Sequence, residues 1–248
     1  MPLFIGIDEA GLAPNLGPLV ITATVWETTQ PLNSLNLWRD FDGIISQDGN
    51  EDGTCLHIAD SKEVHQSSKG LHALELGVHA AFQLAQLQVQ RLSDLWDLLH
   101  GAKRDDYDAE PWNSEHDFEL PLAADPEHIA NHAQRWKARA DDVGVTLLAI
   151  KSAIILPARL NALLRGYENK GAVVSTLAFQ LLREVWNPHT DDFVLIIGDK
   201  HGGRNRYDEF IRDIVADEFV IRCKESMQES HYKVRNAQLR FQVGGEEH

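Results

Sequence analysis

Cysteine is scarce in this chain: Cys55 and Cys223 are the only two among 248 residues. A disulfide framework needs more cysteines than this, so we expect reduced, incidental thiols in a cytoplasmic protein. No apolar run reaches the roughly eighteen residues that a membrane-spanning helix needs, and no basic-then-apolar leader opens the chain. We therefore expect a soluble, unexported protein with no membrane partner.

Several common catalytic and metal-binding patterns are also missing. The chain has no Cys-x-x-Cys or His-Glu-x-x-His pattern, no P-loop and no serine nucleophile elbow. His65, His72 and His79 recur every seven residues, which would place them on one helix face. Without a supporting zinc pattern, we interpret them as polar positions on a helix.

Positive charge is the third shortage. The chain has 23 Lys and Arg against 38 Asp and Glu, a formal net charge of −15. Affinity for phosphates comes largely from Lys and Arg, so this balance is unusual for a nucleic-acid-binding protein. Much of the acidity falls in residues 40–52 and 105–125, within predicted surface insertions near 28–55 and 101–125. The length and the 43% hydrophobic content fit one domain spanning 1–248.

The most informative stretch is the N-terminus. An apolar run at residues 3–7 predicts a buried strand, and Asp8 and Glu9 follow it directly. Strand side chains alternate, so these two acids face opposite sides of the sheet unless the backbone bends. Together with the glycine-rich loop 11–17 they form a candidate site for a hard cation that prefers oxygen ligands. From the spacing alone, a solvated acidic turn is the alternative.

The rest of the chain alternates between strand and helix patterns. Strands are predicted at 18–27, 145–156, 193–199 and 219–223, with a hairpin at 231–243. Helices are predicted at 71–99 with a break near Gln90, and at 126–142, 157–164, 170–186 and 207–217. The strand at 193–199 is continuously apolar, which predicts burial on both faces. The pattern indicates an α/β protein.

A basic stretch follows the acid that ends this strand. Lys200, Arg204 and Arg206 come directly after Asp199, with Gly202 and Gly203 between them. The two glycines would let a ligand approach the backbone closely, and the arginines are candidates to hold a phosphate. If the strands of Asp8 and Asp199 are neighbours, the two acids lie side by side. Grouped acids repel one another, so we expect at least one raised pKa.

The order of these motifs resembles the type 2 ribonucleases H (ribonucleases HII and HIII). The likeness rests on four segments that run through most of the chain: 6–11 with Pro14 and 16–20, then 59–62, 193–199 and 224–226. Gly6-Ile7-Asp8-Glu9-Ala10-Gly11 is the most specific of them, and Ala59-Asp60-Ser61-Lys62 is the next.

The resemblance implies a ribonuclease-H-like fold, with a mixed central sheet flanked by helices, and a monomer. It implies cleavage of RNA in RNA–DNA hybrids or ribonucleotide-containing duplexes by an enzyme that uses Mg²⁺ or Mn²⁺. Catalytic, metal-holding carboxylates would be Asp8, Glu9 and Asp199. Nucleic-acid contacts would come from seven positions: Gly11, Leu12, Ala13, Lys62, Lys200, Arg204 and Arg206. A solvated surface lysine is the alternative for Lys62.

Two departures from the family pattern leave alternatives open. Leu12-Ala13 stands where the HII branch has the Arg-Gly pair that senses the ribose 2′-hydroxyl. The family's late helix with a fourth carboxylate has no counterpart before His248, so the chain ends before it, Glu225 or Glu229 substitutes, or the site is incomplete. The competing functions are a catalytically impaired module that binds nucleic acid or a protein partner, and hydrolysis of a different phosphodiester.

Overall fold

A computed structural model describes residues 1–10, 17–49, 53–65, 70–99, 117–167, 169–216 and 218–243, apart from the side chain of Lys62. Its centre is a seven-stranded sheet in the order β5-β2-β1-β6-β9-β8-β7. These strands are β1 (Leu3–Ala10), β2 (Leu19–Thr28), β5 (Val145–Ile155), β6 (Val194–Asp199), β7 (Val220–Glu225), β8 (Glu229–Val234) and β9 (Ala237–Gln242). A separate two-stranded sheet pairs β3 (Ile45–Ser46) with β4 (Leu56–His57).

The central sheet is mixed. Strands β5, β2 and β1 are antiparallel neighbours, whereas β1, β6 and β9 run parallel. β9, β8 and β7 are again antiparallel. Because parallel neighbours end at the same edge, the carboxyl ends of β1, β6 and β9 meet there. The predicted α/β class and mixed sheet are confirmed.

Helices lie in the connections between these strands. They are α1 (Leu37–Asp40), α2 (Ser61–Val64), α3 (His72–Leu84), α4 (Leu92–Leu98), α5 (Pro126–Val143), α6 (Pro157–Leu164), α7 (Lys170–Val185) and α8 (Asp208–Val215). The predicted break near Gln90 is confirmed, since α3 ends at Leu84 and α4 begins at Leu92. None of the described helices combines the length and the apolar character that crossing a bilayer requires.

Local sequence signals set the ends of the longer helices. Before α5, the Asp125 carboxylate accepts hydrogen bonds from the N–H groups of Glu127 and His128, and Pro126 occupies the first turn. Gly144 ends this helix in the left-handed conformation, at φ 67°. Asn169 caps α7 in the same way by accepting from the Ala172 N–H at 2.9 Å.

One face of the sheet, here called the closed face, is covered along most of its width. The buried side chains of Ile5, Ile196 and Leu239 lie on it. α7 packs over β2 and β5, and α8 packs against α7 and β7. Between them, the rings of Tyr207 and Phe241 stack with centroids 4.2 Å apart. This cluster forms the larger hydrophobic core.

On the opposite face, here called the open face, the helices of the described residues pack at the β5–β2 end. There α3 and α5 pack on one another, and Trp26, Phe41 and Trp136 form an aromatic cluster with ring centroids 5.8 to 6.3 Å apart. Phe41 and Ile45, from the segment predicted as a surface insertion, are buried in this second core. Most of the other predicted insertion, 101–125, lies outside the described residues.

The prediction that residues 193–199 are buried on both faces is wrong for β6. Val194, Ile196 and Gly198 are buried on the closed face, but Leu195 and Ile197 on the open face are only half-buried. The strand is central in the sheet, as its apolar run indicated. Its burial depends on which helices cover each face, and an apolar run cannot report that.

Candidate functional site

Asp8 and Asp199 lie at the adjoining ends of two parallel strands. The register of β1 with β6 pairs Ile7 with Gly198, and one residue further along it brings Asp8 beside Asp199. Neighbouring strands are about 5 Å apart, so the two carboxylates extend from adjacent backbones on the same face. Gly198 permits this close approach, because a Cβ there would lie 2.7 Å from Ile7 Cγ2. The structure thus brings together two acids far apart in sequence.

Glu9 is placed differently. β1 continues without a bend through Ala10, so Glu9 follows the alternation to the closed face while Asp8 stays on the open face. The Asp8 carboxylate accepts a hydrogen bond of 2.8 Å from the Glu9 backbone N–H, which fixes its position at the strand end. The three predicted acids therefore surround the strand ends from both sides of the sheet.

The electrostatics of this corner disfavour negative charge. Loss of solvent raises the pKa of Asp8 and of Asp199, although both side chains retain solvent contact at the strand ends. Repulsion between charges adds to this effect. Asp8 further raises the pKa of Asp199, and Asp60 raises the pKa values of both aspartates. Grouped carboxylates with raised pKa values are candidates for a functional site, and a bound cation would relieve their repulsion.

Glu9 has the largest shift in this group. Burial, followed by repulsion from Asp8 and Asp199, raises the pKa of Glu9 to about 7. A carboxyl with that pKa is protonated in roughly half of the molecules at neutral pH. A bound cation would drive it to the ionised form, so the group is matched to metal binding near pH 7.

Asp60 is a fourth acid, which the sequence reasoning missed. It follows β4 and precedes α2, and its backbone carbonyl accepts from the N–H groups of Glu63 and Val64. Its side chain is exposed and acts electrostatically on both Asp8 and Asp199. The signal was available, because Asp60 lies in the segment 59–62 that the resemblance singled out for Lys62.

The two glutamates considered as substitutes for a fourth carboxylate are engaged elsewhere. The Glu225 carboxylate accepts from the Tyr232 hydroxyl at 2.6 Å and pairs with Arg222 at 3.2 Å. Glu229 pairs with Lys224 at 2.5 Å, and that hydrogen bond lowers its pKa. Of the acids considered, Asp60 is the one that raises the pKa values of the strand-end pair.

The donor chemistry of the corner fits a hard divalent cation, since the four side chains offer carboxylate oxygens and no nitrogen or sulfur. Their placement is less complete. Within the residues that the structure describes, no three His, Cys, Asp or Glu side chains are arranged so that they could hold a metal ion together. The neighbouring side chains of Asp8 and Asp199 could provide two ligands of such a site. The side chain of Glu9 or Asp60 would have to turn toward these two aspartates to provide a third.

Four of the predicted nucleic-acid contacts have no described side-chain geometry. Gly11, Leu12 and Ala13 lie outside the described residues. Lys62 lies in α2, two residues beyond Asp60, but its side chain is likewise outside the description. The roles of these four residues stay predictions. Lys62 is two residues from Asp60 in the chain.

Lys200 turns inward. It is 8% exposed, and its ammonium donates to Asn205 Oδ1 at 2.7 Å and to the Ser226 carbonyl. Burial lowers its pKa, while Glu225 and Glu229 oppose that change. The first bond closes the segment after Asp199 on itself, and the second ties that segment to the turn between β7 and β8. Its predicted contact with nucleic acid is untested, and its position favours a structural role.

The two arginines of the basic stretch differ in exposure. Arg204 is half-buried, with its guanidinium 4.9 Å from the centre of the Phe210 ring. Arg206 is largely exposed and lies 3.8 Å from Glu225, a distance at which an exposed pair contributes little. Arg206 is therefore the better placed of the two for a contact with a ligand.

A buried network beneath the acids supports this segment. The backbone N–H of His201 donates to the Tyr207 hydroxyl at 3.0 Å, and the His201 ring lies 3.1 Å from the Ser175 hydroxyl of α7. Burial, with Arg204 nearby, lowers the pKa of His201 to about 4, so the ring is neutral. Burial raises the pKa of Tyr207 to about 12, with small contributions from Glu9 and Asp199. Sequence reasoning did not single out this network.

The fold and this corner define an α/β protein with a carboxylate cluster at the ends of two parallel core strands. A scan against models of known protein families finds no match, and no curated protein sequence matches the chain either. The resemblance to the type 2 ribonucleases H therefore rests on the sequence motifs given above, and the function that it implies is a proposal.

Proposed function

We propose that this chain is a divalent-metal-dependent endoribonuclease with a ribonuclease-H-like fold that cleaves RNA in RNA–DNA hybrids. The observation that carries the proposal is the adjacency of Asp8 and Asp199 near the ends of β1 and β6, where both have raised pKa values, Asp60 acts on both, and both act on Glu9. The mixed, helix-flanked sheet is compatible with the fold that the resemblance implies.

In this proposal, Asp8 and Asp199 provide the primary ligands for Mg²⁺ or Mn²⁺, and Glu9 and Asp60 complete the set. The cations, when bound, acidify the attacking water and stabilise the leaving oxygen of the phosphodiester. The protein positions the carboxylates on two strand ends that the sheet holds rigidly. Glu9, whose pKa of about 7 is raised by burial and by the two aspartates, would be the carboxyl that must ionise to join the ligand set.

Cleavage of three labelled substrates tests the proposal: an RNA–DNA hybrid, a duplex with a single ribonucleotide, and a plain DNA duplex, each with Mg²⁺ or Mn²⁺. Asp8→Asn and Asp199→Asn each remove one carboxylate charge, and we expect each to lower the rate at least about a hundredfold. Asp142→Asn, at an exposed position of α5, is the matched control and should cut like the native chain. Failure of the pure, folded native protein to cut any ribose-containing strand contradicts the proposal.

The competing function is a catalytically impaired module that binds nucleic acid or a protein partner. Two observations favour it: the lack of a ready three-ligand group among the described residues, and the net charge of −15. A calorimetric titration of the protein with Mg²⁺ and with Mn²⁺ separates the two functions. Binding that Asp60→Asn and Asp199→Asn both weaken supports the enzyme, whereas no saturable metal binding supports the module.

A further inference from the structure

The open face beyond the acids carries a patch of polar and basic side chains. It is formed by outward residues of two neighbouring strands: Gln238, Arg240 and Gln242 on β9, and His231 and Lys233 on β8, with the acid Glu229 at its margin. Gln242 pairs with Asp199, so the patch continues directly from the acid pair across the sheet. We call this set the basic patch.

Arg240 is the central residue of the basic patch. It pairs with Ile197 of β6 on one side and with His231 of β8 on the other. One strand spacing and two residues along β9 separate it from Asp199, a distance of about 8 Å between Cα atoms. Arg240 therefore lies beside the acid pair, on the same face and in the same rigid sheet.

The guanidinium of Arg240 is poorly satisfied by the protein. It donates to Gln238 Oε1 at 3.3 Å, and its buried Nε has no hydrogen-bond partner. Within the described part of the chain Arg240 forms no ion pair: its nearest acid on β8, Glu229, pairs with Lys224, although Arg240 also helps to lower the pKa of Glu229. The buried Nε2 of His231 is also without a partner, and Lys233 is exposed. A half-buried cation that forms no ion pair and leaves a donor unsatisfied favours an anionic ligand.

Space for such a ligand lies next to Arg240. A groove of about 830 Å³ runs between the segment 31–39 and the open face, and Phe4, Ile197 and Arg240 are among the residues that line it. Helices cover the open face only at its β5–β2 end, so within the described residues the groove and the basic patch are accessible together.

We propose that the basic patch, through Arg240, binds the phosphate backbone of the nucleic-acid strand where it leaves the acid pair. This inference rests on the proposed function and names the path of the substrate on the same site. Phosphates recur at every nucleotide of the strand, so at this separation Arg240 meets a phosphate close to the one cleaved. Continuity of the patch with the acid pair favours this ligand over an acidic protein.

The test is the salt dependence of binding. A fluorescein-labelled RNA–DNA hybrid is titrated with Asp8→Asn protein, which keeps the hybrid uncut, from about 0.05 to 0.4 M KCl. Adding Arg240→Ala should remove one phosphate contact and reduce the slope of log affinity against log salt by about 0.9. That change corresponds to about eightfold weaker binding at 0.1 M salt. Arg240→Lys should keep most of the slope because it keeps the charge.

Arg183→Ala is the matched control, because Arg183 is an exposed arginine on α7, which packs over the closed face. It should leave both affinity and slope unchanged. Unchanged binding by folded Arg240→Ala protein, or equal losses in Arg240→Ala and Arg183→Ala, overturns the inference while the proposed nuclease can still stand. Arg240-dependent binding by a native chain that never cuts supports the inference and overturns the nuclease. If the protein forms a dimer at assay concentrations and the basic patch is buried in the dimer interface, the inference is also overturned.

Discussion

The two faces of the central sheet are built from the same strands but are used differently. On the closed face, Ile196 is fully buried and the aromatic rings of Phe179, Tyr207 and Phe241 pack together. On the open face, its neighbour Ile197 lines a groove, and the same strand ends in Asp199. One residue along β6 thus changes the environment from core to candidate ligand site.

The difference between the two faces shows which side chains stabilise the folded state. Side chains that are buried on all sides contribute most of the hydrophobic stabilisation, and the closed face holds most of them. The open face near β6 and β9 contributes less and keeps repelling acids and an unpaired arginine. Unsatisfied groups of this kind are expected at functional sites, where stability is exchanged for ligand binding.

The largest predicted effect compares Ile196→Ala with Ile197→Ala, two isoleucine truncations at successive positions of β6. Ile196 is 0% exposed, so its truncation leaves a cavity and should lower the free energy of unfolding by about 3 to 4 kcal/mol. Ile197 lines an open groove that water can refill, so its truncation should cost about 1 kcal/mol. Urea denaturation of both variants measures the difference, and equal losses would show that the open face is covered.

A smaller effect compares two glycines. A Cβ at Gly198 would lie 2.7 Å from Ile7 Cγ2 and 3.0 Å from the Ile7 carbonyl, so Gly198→Ala should destabilise the protein by about 2 kcal/mol. A Cβ at Gly6 would meet only Thr24 Oγ1, at 3.3 Å, so Gly6→Ala should cost less than about 1 kcal/mol.

Thermal denaturation measures this second comparison. Gly198→Ala should also lower cleavage, because it pushes β1 away from β6 just before Asp8 and Asp199. Native-like stability of Gly198→Ala would mean that the two strands are not as close as the structure places them.

The smallest effect concerns Glu9, whose pKa of about 7 is above its ordinary value. An unfolded chain loses the Glu9 proton near pH 4.5, whereas the folded chain keeps it until about pH 7. Ionisation of Glu9 therefore costs more in the folded chain than in the unfolded chain. The free energy of unfolding falls as the pH rises from about 4.5 to about 7, and below that range Glu9 causes no loss. Glu9→Gln removes the loss, so at pH 8 the variant should be more stable than the native protein by about 1 kcal/mol, allowing for solvent screening.

Urea denaturation at pH 4 and pH 8, without divalent ions, measures the effect of Glu9→Gln. Glu184→Gln, on the exposed side of α7, controls for the change in net charge. A difference between Glu9→Gln and native that does not change with pH would contradict the raised pKa. Added Mg²⁺ should reverse the advantage, because the native carboxylate then has a cation to bind.

The elements themselves were largely predictable. Continuous apolar runs located β1 and β6, β-branched composition located β2, and alternation located the hairpin of β8 and β9. Helical spacing located α5 and α7, and Pro126 marked the start of α5. These signals are local, since each depends on residues within one or two turns or strand periods. The positions of Asp8 and Asp199 at strand ends followed from the same patterns.

The candidate site was only partly predictable. Sequence order indicated Asp8, Glu9 and Asp199, but Asp60 was overlooked and Lys200 was expected to face a ligand rather than the turn at Ser226. Nothing local to residues 59–62 shows that their acid acts on a strand more than fifty positions earlier. The half-buried state of Ile197 depends on the segment 31–39, which comes from another part of the chain and lies across the groove from it.

By itself, then, the sequence determined which segments are strands and helices, and which acids end the strands, because periodicity, capping and turn chemistry act over a few residues. The tertiary structure alone decided that β1 and β6 are parallel neighbours, that Asp60 joins their acids, and that one face stays open beside Arg240. Those outcomes depend on strand order and helix packing, which are settled by burial of apolar surface over the whole chain.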